Sequence, residues 1–93
     1  MGLFNRNTKD EWSINRRKGT IELTPTYIRI KKITREEQII FYKDITLIEK
    51  KYTTIKLKTK SDEIKIIPGK LRKAESKAED LYLQILEKIN ENK

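Results

Sequence analysis

The 93-residue chain contains no cysteine and no histidine. These two absences exclude disulfides, thiolate metal sites, cysteine nucleophiles, imidazole bases and imidazole metal ligands together. Glycine occurs three times and proline twice, and the glycines do not gather into a phosphate-cradling loop. No apolar run approaches the roughly 20 residues needed to span a bilayer. The opening Met1-Gly2-Leu3-Phe4-Asn5-Arg6 lacks the apolar core of a secretory signal, and Arg6 stands where myristoylation requires Ser or Thr. The expectation is a cytoplasmic protein, with any membrane association peripheral, and no cofactor.

What the chain does have is charge and order. Charged residues make up 39% of it and apolar residues 35%, with a net charge of +8. At this length there is material for one domain with a thin core. The positive excess favours anionic partners, whether nucleic acid, acidic lipid or an acidic protein face, without choosing between them. It serves equally as the solubilising charge of a lysine-rich surface.

The most informative stretch is Gly19-Thr20-Ile21-Glu22-Leu23-Thr24-Pro25-Thr26-Tyr27-Ile28-Arg29-Ile30. Its apolar positions alternate on either side of a Thr-Pro-Thr turn, which is the signature of a β-hairpin. With Pro25 and Thr26 central, Leu23 faces Ile28 and Ile21 faces Ile30, while Glu22 meets Arg29 on the other face, so one register satisfies core and surface.

Upstream, residues 1–11 read as a flexible segment anchored only by Leu3 and Phe4. Thr8-Lys9-Asp10-Glu11 fits a capping box opening a short helix through Trp12 and Ile14. The same residues also read as a first strand running through Arg16 into Gly19. Trp12 itself reads as a lid on the core.

Downstream, Gln38-Ile39-Ile40-Phe41-Tyr42 lacks clean alternation and reads as a strand covered on both faces or carrying a bulge. Asp44 reads as a turn residue capping backbone amides before Ile45. Thr54–Lys60 and Glu63–Ile66 alternate around a turn at Ser61-Asp62, and Pro68-Gly69 ends the sheet region. Leu71, Ala74, Ala78, Leu81, Tyr82, Ile85 and Ile89 recur at threes and fours and predict a helix over about 71–90, with Ser76 and Glu79 as an alternative capping box. Residues 12–93 are thus expected to form a single domain.

The run Gly19-Thr20-Ile21-x-Leu23-Thr24-x-x-x-Ile28, then Ile40-Phe41-Tyr42-Lys43-Asp44-Ile45-x-x-Ile48, then Ile55-x-Leu57 and finally Ala78-Glu79-Asp80-Leu81, resembles the bacterial pleckstrin-homology-like domains, relatives of the GRAM domain. The likeness runs from about Gly19 onward and consists of hydrophobic pattern and turn chemistry rather than reactive groups. It implies a mainly β fold, a six- or seven-stranded antiparallel barrel or sandwich capped by one C-terminal helix. It also implies a non-catalytic module for protein interaction or self-assembly.

Two basic groups are the candidate anion- or partner-binding residues. Arg16, Arg17 and Lys18 precede the hairpin, and Arg29 and Lys31 lie on the strand that pairs back. In eukaryotic pleckstrin-homology domains basic residues of this region hold phosphoinositide headgroups, but their spaced Lys-x-Arg arrangement is absent here. The second group is Lys56, Lys58 and Lys65 on the last hairpin, with Lys58 expected opposite Lys65, where like charges repel. It reads either as an anion-binding strip or as an edge whose lysines block aggregation.

The acids Glu22, Glu36, Glu37, Asp44, Asp62 and Glu63 are scattered on turns and outer faces, which gives no paired-carboxylate site. The expected partners are therefore a protein or a second copy of the chain, with anionic membrane lipid as the alternative. Nucleic acid held on lysines near Tyr27, Tyr42 and Tyr52 ranks third.

Overall fold

Alternating apolar side chains lay down an antiparallel sheet, and a 3.6-residue period closes it with a helix. The computed structural model describes residues 6–7, 11–70 and 72–93. The elements are β1 (Arg6–Asn7), β2 (Trp12–Ile14), β3 (Arg17–Leu23), β4 (Tyr27–Lys32), β5 (Glu37–Phe41), a 3-10 turn (Tyr42–Asp44), β6 (Leu47–Lys51), β7 (Thr54–Lys58), β8 (Glu63–Pro68) and α1 (Ala74–Glu91). Seven strands follow one another in the order β5-β4-β3-β2-β8-β7-β6, and β1 pairs separately with β3. Every pairing is antiparallel. The sheet curls into a half-barrel around one core, and α1 covers the concave side of β6, β7 and β8. This is the mainly β, helix-capped architecture expected from the order of elements.

The β3–β4 hairpin has the expected register: Leu23 opposite Ile28, Ile21 opposite Ile30, Glu22 opposite Arg29. Thr24 fixes the turn. Its hydroxyl donates to the Tyr27 carbonyl at 2.8 Å and accepts the Tyr27 amide at 3.0 Å, so a buried polar side chain is fully used. Tyr42, buried beneath it, donates its phenol to the Thr24 carbonyl at 2.8 Å. Burial, reinforced by the carboxylate of Glu91, holds this phenol protonated well above the ordinary tyrosine range, which keeps it a donor.

Four local expectations are corrected. Of the two readings of Trp12–Ile14 the strand holds, but it does not run on into Gly19: Asn15 and Arg16, both at positive φ (51° and 72°), turn the chain back. Two consecutive positive φ values define a type I′ hairpin, whose twist matches that of the strands. In the last hairpin Lys58 faces Glu63 instead of Lys65, and Lys65 faces Lys56. The turn takes four residues because the Thr59 hydroxyl accepts the Ser61 and Asp62 amides at 3.4 and 3.1 Å, moving the register by two and leaving each side chain on its expected face. β5 carries no bulge and only one of its faces is covered: Ile40 is buried, whereas Ile39 and Phe41 are each 42% exposed. Asp44 is in a turn, as expected, but among the described residues its carboxylate accepts no backbone amide, and the turn is closed by the Ile45 amide donating to the Tyr42 carbonyl at 3.1 Å.

Helix α1 begins at Ala74, between the two predicted starts, after Lys73 in the left-handed region. Its Ala78, Leu81 and Ile85 are buried, with Tyr82 and Ile89 packed beside the core. At its other end the Asn92 side-chain amide donates to the Pro25 carbonyl at 2.9 Å, tying the helix to the β3–β4 turn. Arg6–Asn7, inside the segment expected to be flexible, pairs with Leu23 and Glu22 of β3. Leu3, Phe4, most of the Thr8–Glu11 capping box and Leu71 lie outside the described residues.

Gly19, in the middle of β3, sits where the neighbouring strands leave no room for a side chain. It pairs with Trp12 on one side and Lys32 on the other, and a Cβ there would sit 2.6 Å from the Lys31 carbonyl oxygen and 3.0 Å from Cδ1 of Ile14. Gly19→Ala is therefore expected to destabilise the fold by about 1–3 kcal/mol through overpacking, measured as a lower urea midpoint with unchanged slope. A midpoint equal to that of the parent chain would contradict the close approach.

Candidate protein-binding surfaces

The two ends of the strand order, β5 and β6, are not paired with each other, so the curled sheet keeps an open seam. The hydrogen-bond phase of β5 follows from its two ends: the Lys32 amide donates to the Glu36 carbonyl at 2.9 Å, and the Tyr42 amide donates to the Thr26 carbonyl at 3.2 Å. Antiparallel ladders alternate, so Gln38 and Ile40 bond to β4. The N–H and C=O groups of Glu37, Ile39 and Phe41 consequently point out of the sheet. Among the described residues no strand covers them.

The side chains above that edge are apolar and partly braced. Phe41 meets Tyr27 edge-on, with ring centroids 5.7 Å apart and planes at 69°. The Arg29 guanidinium lies 5.8 Å from the Tyr27 ring centroid and pairs with Glu22 at 3.1 Å and Glu37 at 3.7 Å. Next to this edge a cleft of about 470 Å³ opens between Ile39, Phe41 and Asp44 on one side and Thr59, Ser61 and Asp62 on the other. The β6 edge is different: Lys50 reaches the Tyr52 carbonyl at 3.2 Å and Glu79 of α1 at 3.6 Å, placing a charged side chain against the helix beside that edge.

The convex face of the sheet collects most of the predicted cations. Lys56 and Lys65 are direct cross-strand partners. The β2–β3 turn lies alongside, because the Asn15 amide donates to the Lys65 carbonyl and the Lys65 amide donates to Oδ1 of Asn15, both at 2.9 Å, and this brings Arg16 to the same region. Lys18 is opposite Ser13, which is opposite Ile67. Lys31 is on the neighbouring β4, where Thr20 and Glu37 flank it.

The remaining candidates are not brought into this group as free charges. Arg29 is committed to its two carboxylates. Lys58 pairs with Glu63 at 3.6 Å. Arg17 is exposed at the start of β3, opposite Ile14 and out of phase with Lys18.

Three residues outside the predicted cation set also shape this face: Lys51, Tyr52 and Ile67. Tyr52, at positive φ in the β6–β7 turn, is 76% exposed. With Lys51, Thr54 and Ile67 it walls a groove of about 810 Å³ whose floor includes Lys56 and Lys65. The available signal in the sequence is a Tyr-Thr pair between two alternating strands, which is weak turn chemistry beside Asn-Gly.

No family model and no curated protein matches the chain. The surfaces themselves therefore carry the functional reading. Among the described residues no cluster of three or more carboxylates is placed to hold a metal ion, and no helix is long and apolar enough to cross a membrane.

Proposed function

We propose that the chain is a non-catalytic binding module of the bacterial pleckstrin-homology-like kind, acting in the cytoplasm, which holds a protein partner by adding an extended segment to the free edge of β5. The observation that carries this reading is the combination at one edge of backbone groups on Glu37, Ile39 and Phe41, unpaired among the described residues, with exposed apolar side chains on two of the same residues. An edge of that kind is a template for another strand: the main chain supplies affinity and alternate side chains supply selectivity. Natural edges are blunted with proline, lysine or bulges, and β5 contains none of these.

A displayed library of extended peptides tests the proposal. Selected binders should slow hydrogen exchange at the amides of Glu37, Ile39 and Phe41 and leave Gln38 and Ile40, already bonded to β4, unchanged. Ile39→Pro removes one outward donor without touching the β4 ladder and should weaken binding about tenfold or more, since one such bond contributes about 1 kcal/mol and the ring obstructs its neighbours. Failure to select any binder, or binders indifferent to Ile39→Pro, would overturn the reading.

A further inference from the structure

The basic groove and the exposed side of α1 carry opposite patterns. Helix α1 holds five acids, Glu75, Glu79, Asp80, Glu87 and Glu91, against two lysines, Lys77 and Lys88, in a chain whose net charge is +8. On its solvent side Asp80, Leu83 and Glu87 follow one another at helical spacing, and Leu83 is 54% exposed. This is an apolar side chain flanked by acids. The groove on the convex face of β6, β7 and β8 has the opposite balance: Ile67, 38% exposed, and Tyr52 lie among Lys51, Lys56 and Lys65, with Glu49 the one acid of its lining among the described residues.

None of these three lysines forms an ion pair among the described residues. Lys56 and Lys65 are held opposite each other, with Glu49 the nearest cross-strand acid to Lys56. Like charges so placed repel, and a facing acidic surface relieves that repulsion. Among the described residues Asp80 is engaged only by the Gln84 side-chain amide, which donates to it at 3.0 Å, so its charge is available. Glu79, committed to Lys50, is not needed.

We infer that the groove is the docking site for the Asp80-Leu83-Glu87 face of α1 in a second copy of the chain. Leu83 enters between Tyr52 and Ile67, and the acids meet Lys56 and Lys65. Helix α1 packs on the concave side of β6, β7 and β8, whereas the groove is on their convex side, so one molecule cannot satisfy both surfaces by itself. The contact is head-to-tail and generates a ring or an open chain of copies. It does not involve the β5 edge.

Light scattering of the full chain in low salt should give a weight-average mass of at least twice the 11.1 kDa of one copy, falling toward that value as salt screens the contact. Lys56→Glu with Lys65→Glu makes both surfaces acidic, and Asp80→Lys with Glu87→Lys makes both basic, so each double variant alone should be monomeric. An equimolar mixture of the two should recover the parental mass, because each groove then meets a helix of opposite sign. All four positions are solvent-facing, and unchanged circular dichroism establishes that each variant folds.

Ile39→Pro should leave the mass unchanged, which separates failure of this contact from failure of the β5 reading. A strictly monomeric parent, double variants that assemble normally, or a mixture that stays monomeric would each overturn the inference. So would a monomeric parent that binds phosphatidylserine vesicles or a single-stranded oligonucleotide through Lys56 and Lys65, since the groove would then belong to lipid or nucleic acid.

Discussion

Trp12→Ala should cost about 3–5 kcal/mol of folding stability, the range for removing a buried aromatic side chain. Trp12 is only 2% exposed and belongs to the central strand β2, which is bonded to β3 on one side and β8 on the other. β2 has three residues, yet among the described residues it is the only link in the strand order between the β3–β5 half of the sheet and the β6–β8 half. A cavity at this position loosens both halves. A domain of this size has about 5–15 kcal/mol in total, so the variant should retain a fold with its thermal midpoint lowered by tens of degrees, at about 4–8 °C per kcal/mol. Thermal and urea melts followed by far-ultraviolet circular dichroism measure it. A loss under about 1 kcal/mol would mean that Trp12 covers the core without helping to form it.

Ile21→Ala and Ile30→Ala should each cost about 2–5 kcal/mol, and together less than the sum of the two. The side chains are cross-strand partners, both fully buried, and the cavities left by the two truncations merge. Pairs in contact typically couple by about 0.5–3 kcal/mol, and a double-mutant cycle in urea reads that coupling directly. Ile33 supplies the contrast from the same region of chain: it is 72% exposed, and Ile33→Ala should change stability by no more than about 0.5 kcal/mol. If Ile33→Ala proved as costly as Ile21→Ala, the exposure of Ile33 in the turn after β4 would be wrong.

The contrast between Ile30 and Ile33 also marks how much of the fold is legible in the sequence. In the β3–β4 hairpin, alternation, a proline-containing turn and one acid-base pair all select the same register, so local chemistry and tertiary packing agree. The helix is equally readable, because a stripe at threes and fours has no other economical use. The last hairpin is readable in its faces but not in its pairing. A slip of two residues keeps every side chain on its side, and the hydroxyl of Thr59, gathering two amides, decides the turn length. The Asn15–Arg16 turn is hidden because nothing but the backbone demands positive φ there. The cations of the candidate site are visible as residue types, but which of them remain unpaired is not: Arg29 is neutralised by Glu22 and Glu37, Lys58 by Glu63, and Lys56 and Lys65 are left facing each other.

By itself the sequence determined what repeats along the chain: antiparallel strands, their inward faces, a capping helix, and the exclusion of thiol and imidazole chemistry. Those properties are set by neighbours a few residues away, or by composition alone. Only the tertiary structure decided which strands end the sheet, which side of α1 stays bare, and that Tyr52 and Ile67 stand beside two opposed lysines. These depend on how distant segments meet as the sheet curls, because a strand's edge and a surface's charge are properties of what lies next to them in space.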